Sequence, residues 1–276
     1  MIREFINYIG YVKGCSQNTC IAYEKDLHTF VRFIRNHTEK GRWRDINRDD
    51  IDAFIVYQIE RGMKPATTNR QLSAIQSMYD YMKRQGIFNE NPARYESRRK
   101  IAKTVPNTIP AEALLKACDL AQGQLKLIVE VLMTTGIRIQ ECLDLQKCDL
   151  NPVTTSIRIK GKGMKERIVY TNDLTMKHLR EATAKSCHTA LIFMGWNQRE
   201  VRHALWELLR PITDAPQVSP HAIRHSFATN CAQNGMNATT LQLLLGHEDI
   251  RTTQKYVDLA QSNVKEQYLQ FAAYHS

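Results

Sequence analysis

The chain has 276 residues, of which 43% are hydrophobic and 24% charged, and its formal net charge is +10. That length can bury one large core or two ordinary ones without disulfide or metal staples, and no apolar run is long enough to span a membrane. The start, Met1 to Gly14, lacks the apolar stretch of a signal peptide, so a cytoplasmic protein is expected, and the basic excess, spread over both halves, favours a polyanionic partner.

The first hundred residues read as helices. Ser16-Gln17-Asn18-Thr19 can cap a helix running to about Asn36. At helical spacing Cys20, Tyr23, Leu27, Phe30, Val31 and Ile34 share one face, while Asn18, Lys25, Thr29 and Arg32 share the other. A second helix is expected from Ala66 to Gln85, after the turn at Gly62-Met63-Lys64-Pro65. Leu72, Ile75, Met78, Tyr79 and Met82 form its apolar face, and Arg70, Ser73, Ser77 and Arg84 align on its other side. Two helices with basic and hydroxyl stripes fit phosphates and groove edges, although a plain solvated face has the same pattern. Gly86 ends this helix and Asn91-Pro92 closes the unit. Residues 98–110 are basic, contain two prolines and lack periodicity, and they read as a linker between a domain at 1–97 and another at 111–276.

Helical periodicity resumes at Ala111 and is interrupted once. Ile157-Arg158-Ile159-Lys160 alternates, Gly161-Lys162-Gly163 turns, and Glu166-Arg167-Ile168-Val169-Tyr170 is again β-prone, which predicts a hairpin. Helices fill the rest, including Leu241 to Leu245, which Gly246 terminates. The fold class is therefore mainly α, with two domains and a small antiparallel β-sheet in the second. Seven cysteines, an odd number without a C-x-x-C pair, read as buried free thiols of a reducing compartment.

Five segments of the second half contain polar residues that local structure does not require. Arg138 and Glu141 lie in Thr135-Gly136-Ile137-Arg138-Ile139-Gln140-Glu141; Lys162 sits at the hairpin tip; His221 and Arg224 lie three apart on a helix that starts after Pro220. His247 follows the helix-ending Gly246, and Tyr256 closes Thr252-Thr253-Gln254-Lys255-Tyr256. Each alone has an ordinary explanation: a surface ion pair, a solvated turn, a helix cap, a core tyrosine. Gly161-x-Gly163 is too short for a dinucleotide fingerprint and lacks the spacing of a phosphate loop, so no nucleotide site is expected. Together the five segments have a chemical logic. Attack on a phosphodiester builds negative charge on its oxygens, which two guanidiniums can neutralise in a fork that fits phosphate. A tyrosine hydroxyl is a poor nucleophile near neutral pH and needs a base, and a lysine can protonate the departing 5′ oxygen while histidines share the proton work. The sequence offers no carboxylate cluster for Mg²⁺, so no metal or other cofactor is expected.

These segments, in this order, resemble the tyrosine recombinase (integrase) family over nearly the whole chain. Thr135 to Glu141 matches its first arginine motif, Gly161 to Arg167 its hairpin lysine motif, and His221-Ala222-Ile223-Arg224-His225 its histidine–arginine box. Leu244 to His247 and Thr252 to Tyr256 match the closing histidine and nucleophile boxes. Ser16 to Leu27, Thr67 to Ser73 and Asn91-Pro92 are similar to the family's four-helix, SAM-like core-binding domain, which clamps the opposite DNA face. The resemblance implies that Arg138 and Arg224 hold the scissile phosphate and that Lys162 is the general acid, with Lys165 the alternative. It makes His221 a base or phosphate ligand, His247 a hydrogen-bonding stabiliser, Glu141 an orienting residue, and Tyr256 the nucleophile of a 3′-phosphotyrosine link. It further implies that religation needs no cofactor, and that four protomers exchange strands through a Holliday junction on inverted-repeat sites, as a homo-tetramer or with a related recombinase. Asn18, Lys25, Arg32, Arg70, Ser77 and Arg84 are then candidate DNA contacts. Gln261 to Ser276, with Val264, Tyr268, Leu269 and Phe271 at helical spacing, is expected to dock on a neighbouring protomer. The resemblance is to the simple Xer-like type without an arm-binding domain. A type IB topoisomerase and a catalytically silent DNA-binding accessory protein are the competing readings.

Overall fold

The computed structural model describes residues 1–94, 107–161 and 166–260, apart from the side chains of 259 and 260. The chain divides into two compact units, Met1–Lys103 and Thr104–Ser276. Most of the expected linker, residues 98–106, lies outside the described residues.

Among the described residues the first unit is built from four α-helices, α1 (Ile2–Asn7, continued by a wider turn over Tyr8–Val12), α2 (Gln17–His37), α3 (Arg48–Glu60) and α4 (Pro65–Arg84). The Ser16 side chain accepts from Thr19 N and so caps α2, satisfying one of the amide groups that a helix start leaves open. α4 begins at Pro65, whose missing N–H costs nothing at a first helical position. The core joins Leu27, Phe30, Phe33 and Ile34 of α2 to Ile51 and Phe54 of α3 and to Leu72, Ile75, Met78, Tyr79 and Met82 of α4. Val31 is only half-buried and Phe33 takes the inward place, because the buried face of α2 is centred on Asp26, Phe30 and Phe33. α3 has no distinct signature in the apolar spacing, since Ile51 and Phe54 are its only fully buried apolar side chains. It starts on a reciprocal cap in which Asn47 accepts from Asp50 N while Asp50 accepts from Asn47 N. Asn91 closes the unit by donating to Gln76 O and Asp80.

The second unit starts with α5 (Ala111–Leu120), the buried α6 (Gly123–Thr135) and the short α7 (Ile139–Leu143). A three-stranded antiparallel sheet follows, β1 (Leu150–Asn151), β2 (Ser156–Lys160) and β3 (Glu166–Tyr170), in that order. The expected hairpin is its β2–β3 pair, with Ile157 opposite Val169 and Ile159 opposite Arg167. α8 (Asp173–Thr183), α9 (Gln198–Leu209), α10 (Pro220–Gln233), α11 (Ala238–Leu245) and α12 (Arg251–Ala260) complete it. Leu127, Ile128, Val129, Val131 and Leu132 of α6 centre one core with residues of α5, α9, the sheet and Ile223 of α10. A smaller core joins Ala228 and Ala232 of α10, Leu241 and Leu245 of α11, and Tyr256 of α12.

One sequence expectation changes. The seven cysteines are free, but only Cys142 is buried; Cys15, Cys20, Cys118 and Cys231 sit at the margins of the cores, Cys148 is half-buried and Cys187 is exposed. The terminal segment Gln261 to Ser276 lies outside the described residues. Among the described residues no helix is long and apolar enough to cross a membrane.

Candidate active site

Two helix ends assemble the site. α6 stops at Gly136, whose φ of 63° is left-handed and whose missing Cβ would collide with the Phe227 ring. α11 stops at Gly246 with the same φ of 63°. A helix end leaves its last carbonyls without amide partners and carries the negative end of the helix dipole, so cations settle there. At the α11 end three arginines do so. Arg167 Nε donates to Leu244 O at 2.8 Å, Arg224 Nη2 to Leu245 O at 2.6 Å, and Arg138 Nη2 to Gly246 O at 3.0 Å. Arg224 Nη1 also donates to Gly136 O at 2.8 Å, so both glycine-ended helices hold the same guanidinium.

Arg224 is 2% exposed. Burial, with Arg138 beside it, lowers its pKa to about 10, which leaves it charged at neutral pH. Arg138 stands at the start of α7 with its side chain 46% exposed. Its backbone N–H and Nη1 both donate to Glu141, at 2.8 and 2.9 Å. Burial alone would raise the Glu141 carboxyl, but hydrogen bonds from Arg167 and Arg138 hold it below its ordinary value.

Three histidines at the site are held below their ordinary pKa. His221 lies at the exposed start of α10, and burial of its ring together with Arg224 lowers its pKa. His225, one turn on, has its ring centroid 4.3 Å from that of His221. Burial, then His221 and Lys255, press it to about 4. His247 is likewise pressed to about 4, by burial and then Arg224 and Arg138, and its Nδ1 shares a 2.8 Å hydrogen bond with Thr253 Oγ1. Tyr256 is 1% exposed, and its hydroxyl hydrogen-bonds to His225 Nδ1. Burial pushes this phenol up to about 12 against a lowering pull from Arg224. Lys255 Nζ stands 4.9 Å from the centre of the Tyr256 ring. Beside these groups opens a cleft of about 730 Å³, with Arg138, His221 and Arg224 on one side and Gln198, Arg202 and Trp206 of α9 on the other.

Of the residues singled out in the sequence, Arg138, Glu141, His221, Arg224, His247 and Tyr256 therefore meet at one place. Lys162 and Lys165 lie outside the described residues. Among the described residues no group of three or more His, Cys, Asp or Glu side chains could hold a metal. In the first unit Asn18, Lys25 and Arg32 are exposed on α2 and Ser77 is half-buried on α4. Arg70 and Arg84 are already engaged: Arg70 grips Asp26 through Nε and Nη2 at 2.8 and 3.0 Å, and Arg84 Nη1 donates to the Tyr8 hydroxyl at 2.6 Å.

Sequence reasoning passed over three residues. His225 stood next to Arg224, and its place one helical turn beyond His221 was a usable signal. Arg167 falls in a β-prone strand and at the end of the hairpin lysine motif without a role of its own, because nothing local links it to Glu141, 26 positions away. Thr253, fully buried against His247, was covered by the nucleophile segment without a role.

The model of the phage integrase family matches residues 109–263, and that of the phage integrase N-terminal SAM-like domain matches residues 2–86. The tyrosine recombinase XerD of Listeria monocytogenes is 30% identical over 98% of this chain and 98% of its own. The XerD of Oceanobacillus iheyensis is 28% identical over 97% of this chain and 96% of its own. Among solved structures, the Tn1549 transposon integrase in complex with transposon right end DNA has a TM-score of 0.77 at 16% identity, covering 99% of both chains. The XerH site-specific recombinase bound to a palindromic difH substrate has a TM-score of 0.76 at 20% identity, covering 97% of this chain and 84% of that one.

Proposed function

Because the chain belongs to the phage integrase family, we propose that it is a site-specific DNA recombinase that cuts and rejoins strands through a 3′-phosphotyrosine intermediate on Tyr256. The observation that carries this reading is the meeting of Arg138 and Arg224 at one helix end, with the Tyr256 hydroxyl hydrogen-bonded to His225, the residue next to Arg224.

The steps follow from the groups. A phosphodiester entering the cleft meets two guanidiniums whose positions are fixed beforehand by backbone carbonyls. Little reorganisation is then needed when charge builds on the non-bridging oxygens. His221, exposed at the cleft, is placed to bind a phosphate oxygen, and His247 to donate to the transition state while Thr253 fixes its ring. Tyr256 attacks, and its proton leaves through His225. The depressed basicity of His225 rises once a phosphate anion offsets the surrounding cations, since Lys255 and Arg224 contribute to that depression. Lys162 protonates the 5′ oxygen. Reversal with a strand from a second duplex completes the exchange, and no external energy is required because the phosphotyrosine retains the bond energy.

We assign the backbone contacts of the first unit to Asn18, Lys25 and Arg32 of α2 and to Ser77 and Arg84 of α4, with Arg70 holding α2 to α4. We further propose an inverted-repeat site bound by paired protomers that assemble as a tetramer, through a Holliday junction, or together with a related recombinase. The palindromic substrate of the XerH neighbour supports the symmetry of that site.

The test is a nicked duplex that traps cleaved product, using DNA sites selected from a random pool. Wild type is expected to form a covalent protein–DNA adduct, and Tyr256→Phe to bind the same DNA without forming one. Binding without an adduct in wild type would favour a silent DNA-binding protein. Relaxation of a supercoiled plasmid lacking the site would favour a topoisomerase.

A further inference from the structure

Of the three arginines at the α11 end, Arg138 and Arg224 line the cleft and Arg167 does not; its side chain is 13% exposed. It places both Nη atoms on Glu141, at 2.9 and 2.7 Å, and its Nε on Leu244 O. The same carboxylate also takes the N–H and Nη1 of Arg138, so four donors meet two oxygens. A Cβ on Gly246 would stand 2.9 Å from Arg167 Nη1, so the guanidinium fills the space beside the helix end.

This arrangement resolves an electrostatic conflict. A carboxylate is a good holder for an arginine, but its charge also competes with the phosphate that the arginine is meant to bind. A second guanidinium on the far side of the carboxylate makes a neutral pair and leaves the first guanidinium its charge. We propose that Arg167 is a positioning residue that cancels the charge of Glu141, so that Glu141 fixes Arg138 without drawing it away from the scissile phosphate. The charged groups facing Glu141 are Arg138 at the start of α7, Arg167 of β3 and, through space, Arg224 of α10. The same side chain joins β3 to the end of α11, next to His247.

The cleavage arm of the test rests on the strand-transfer reading, and the titration arm does not. In the free protein the Glu141 carboxyl is followed by carbon-13 NMR. Arg167→Gln is expected to raise its midpoint, because burial is then opposed by one bonded guanidinium only, and an unmoved midpoint overturns the proposal. On the nicked duplex, Arg167→Gln is expected to slow adduct formation by about tenfold or more while DNA affinity stays close to wild type. The double variant E141Q/R167Q, which removes the uncancelled charge, is expected to react faster than Arg167→Gln alone. A double variant as slow as the single one would make Arg167 a mere tether and overturn the proposal. Arg167→Lys keeps the charge but loses the fork, and it is expected to retain most of the wild-type rate. A collapse of that rate also overturns the proposal, and this arm stands alone should Arg167→Gln fail to fold. If no variant, nor wild type, forms an adduct while the midpoint moves as expected, the strand-transfer reading fails and the charge pairing stands.

Discussion

At the scale of single residues, the site is a set of groups held away from their ordinary ionisation. His221, His225 and His247 all titrate below the ordinary histidine value of 6.5, the last two at about 4. Between these limits the unfolded chain binds protons that the folded chain refuses, so stability is complete above about 6.5 and is lost as pH falls towards 4. Glu141, also depressed, adds a loss at still lower pH. Thermal melts of the free protein are therefore expected to fall in Tm across that window, and His225→Gln and His247→Gln to flatten the fall; an equal slope in all three proteins would contradict the assignment. The sequence made the residue types legible, because their spacing around two glycines matched a known chemistry. It hid His225 and Arg167, whose importance comes from partners 31 and 26 positions away.

At the scale of elements, stops and pins matter more than propensity. Gly136 permits both the left-handed turn that ends α6 and the approach of Phe227. Gly136→Ala is expected to cost about 1–3 kcal/mol or more, read as a lower urea midpoint, and to slow cleavage because Gly136 O anchors Arg224. α2 and α4 are pinned by Arg70 on Asp26, whose side chain is 3% exposed while that of Arg70 is 47% exposed. A broken buried pair costs about 3–5 kcal/mol, and solvent around Arg70 reduces this, so Arg70→Ala is expected to cost about 1–3 kcal/mol. A change below a few tenths would return Arg70 to the list of DNA contacts. The two helices of the first unit that the sequence delimits were legible: the ends of α2 and α4 lie within a residue or so of the sequence reading. α3 and β1 were not, since α3 buries few apolar side chains and β1 is two residues long.

At the scale of the whole molecule, the net charge of +10 belongs to two units, each with its own core. Binding to duplex DNA is expected to weaken with salt, with a slope of about 0.9 in log K per phosphate contact. Lys25→Ala and Arg32→Ala should each make that slope shallower by about one such increment without changing the selected sequence. An unchanged slope in both would move the interface off α2. The two-unit organisation and mainly α class were visible in the change of pattern around residues 98–110. Target sequence and assembly were not, because both depend on surfaces that composition does not order.

Tyr256 occupies a place in the smaller core of the second unit that a leucine or methionine could otherwise fill. On the strand-transfer reading, a hydroxyl that water hardly reaches is also shielded from a phosphodiester, so the resting protein would carry its reagent sheathed. Drawing it out opens a hole between α10, α11 and α12 and gives up a burial worth about 1.5–3 kcal/mol, which a correctly seated duplex must supply. On the same reading, packing acts as a safety catch: DNA that binds loosely is left uncut.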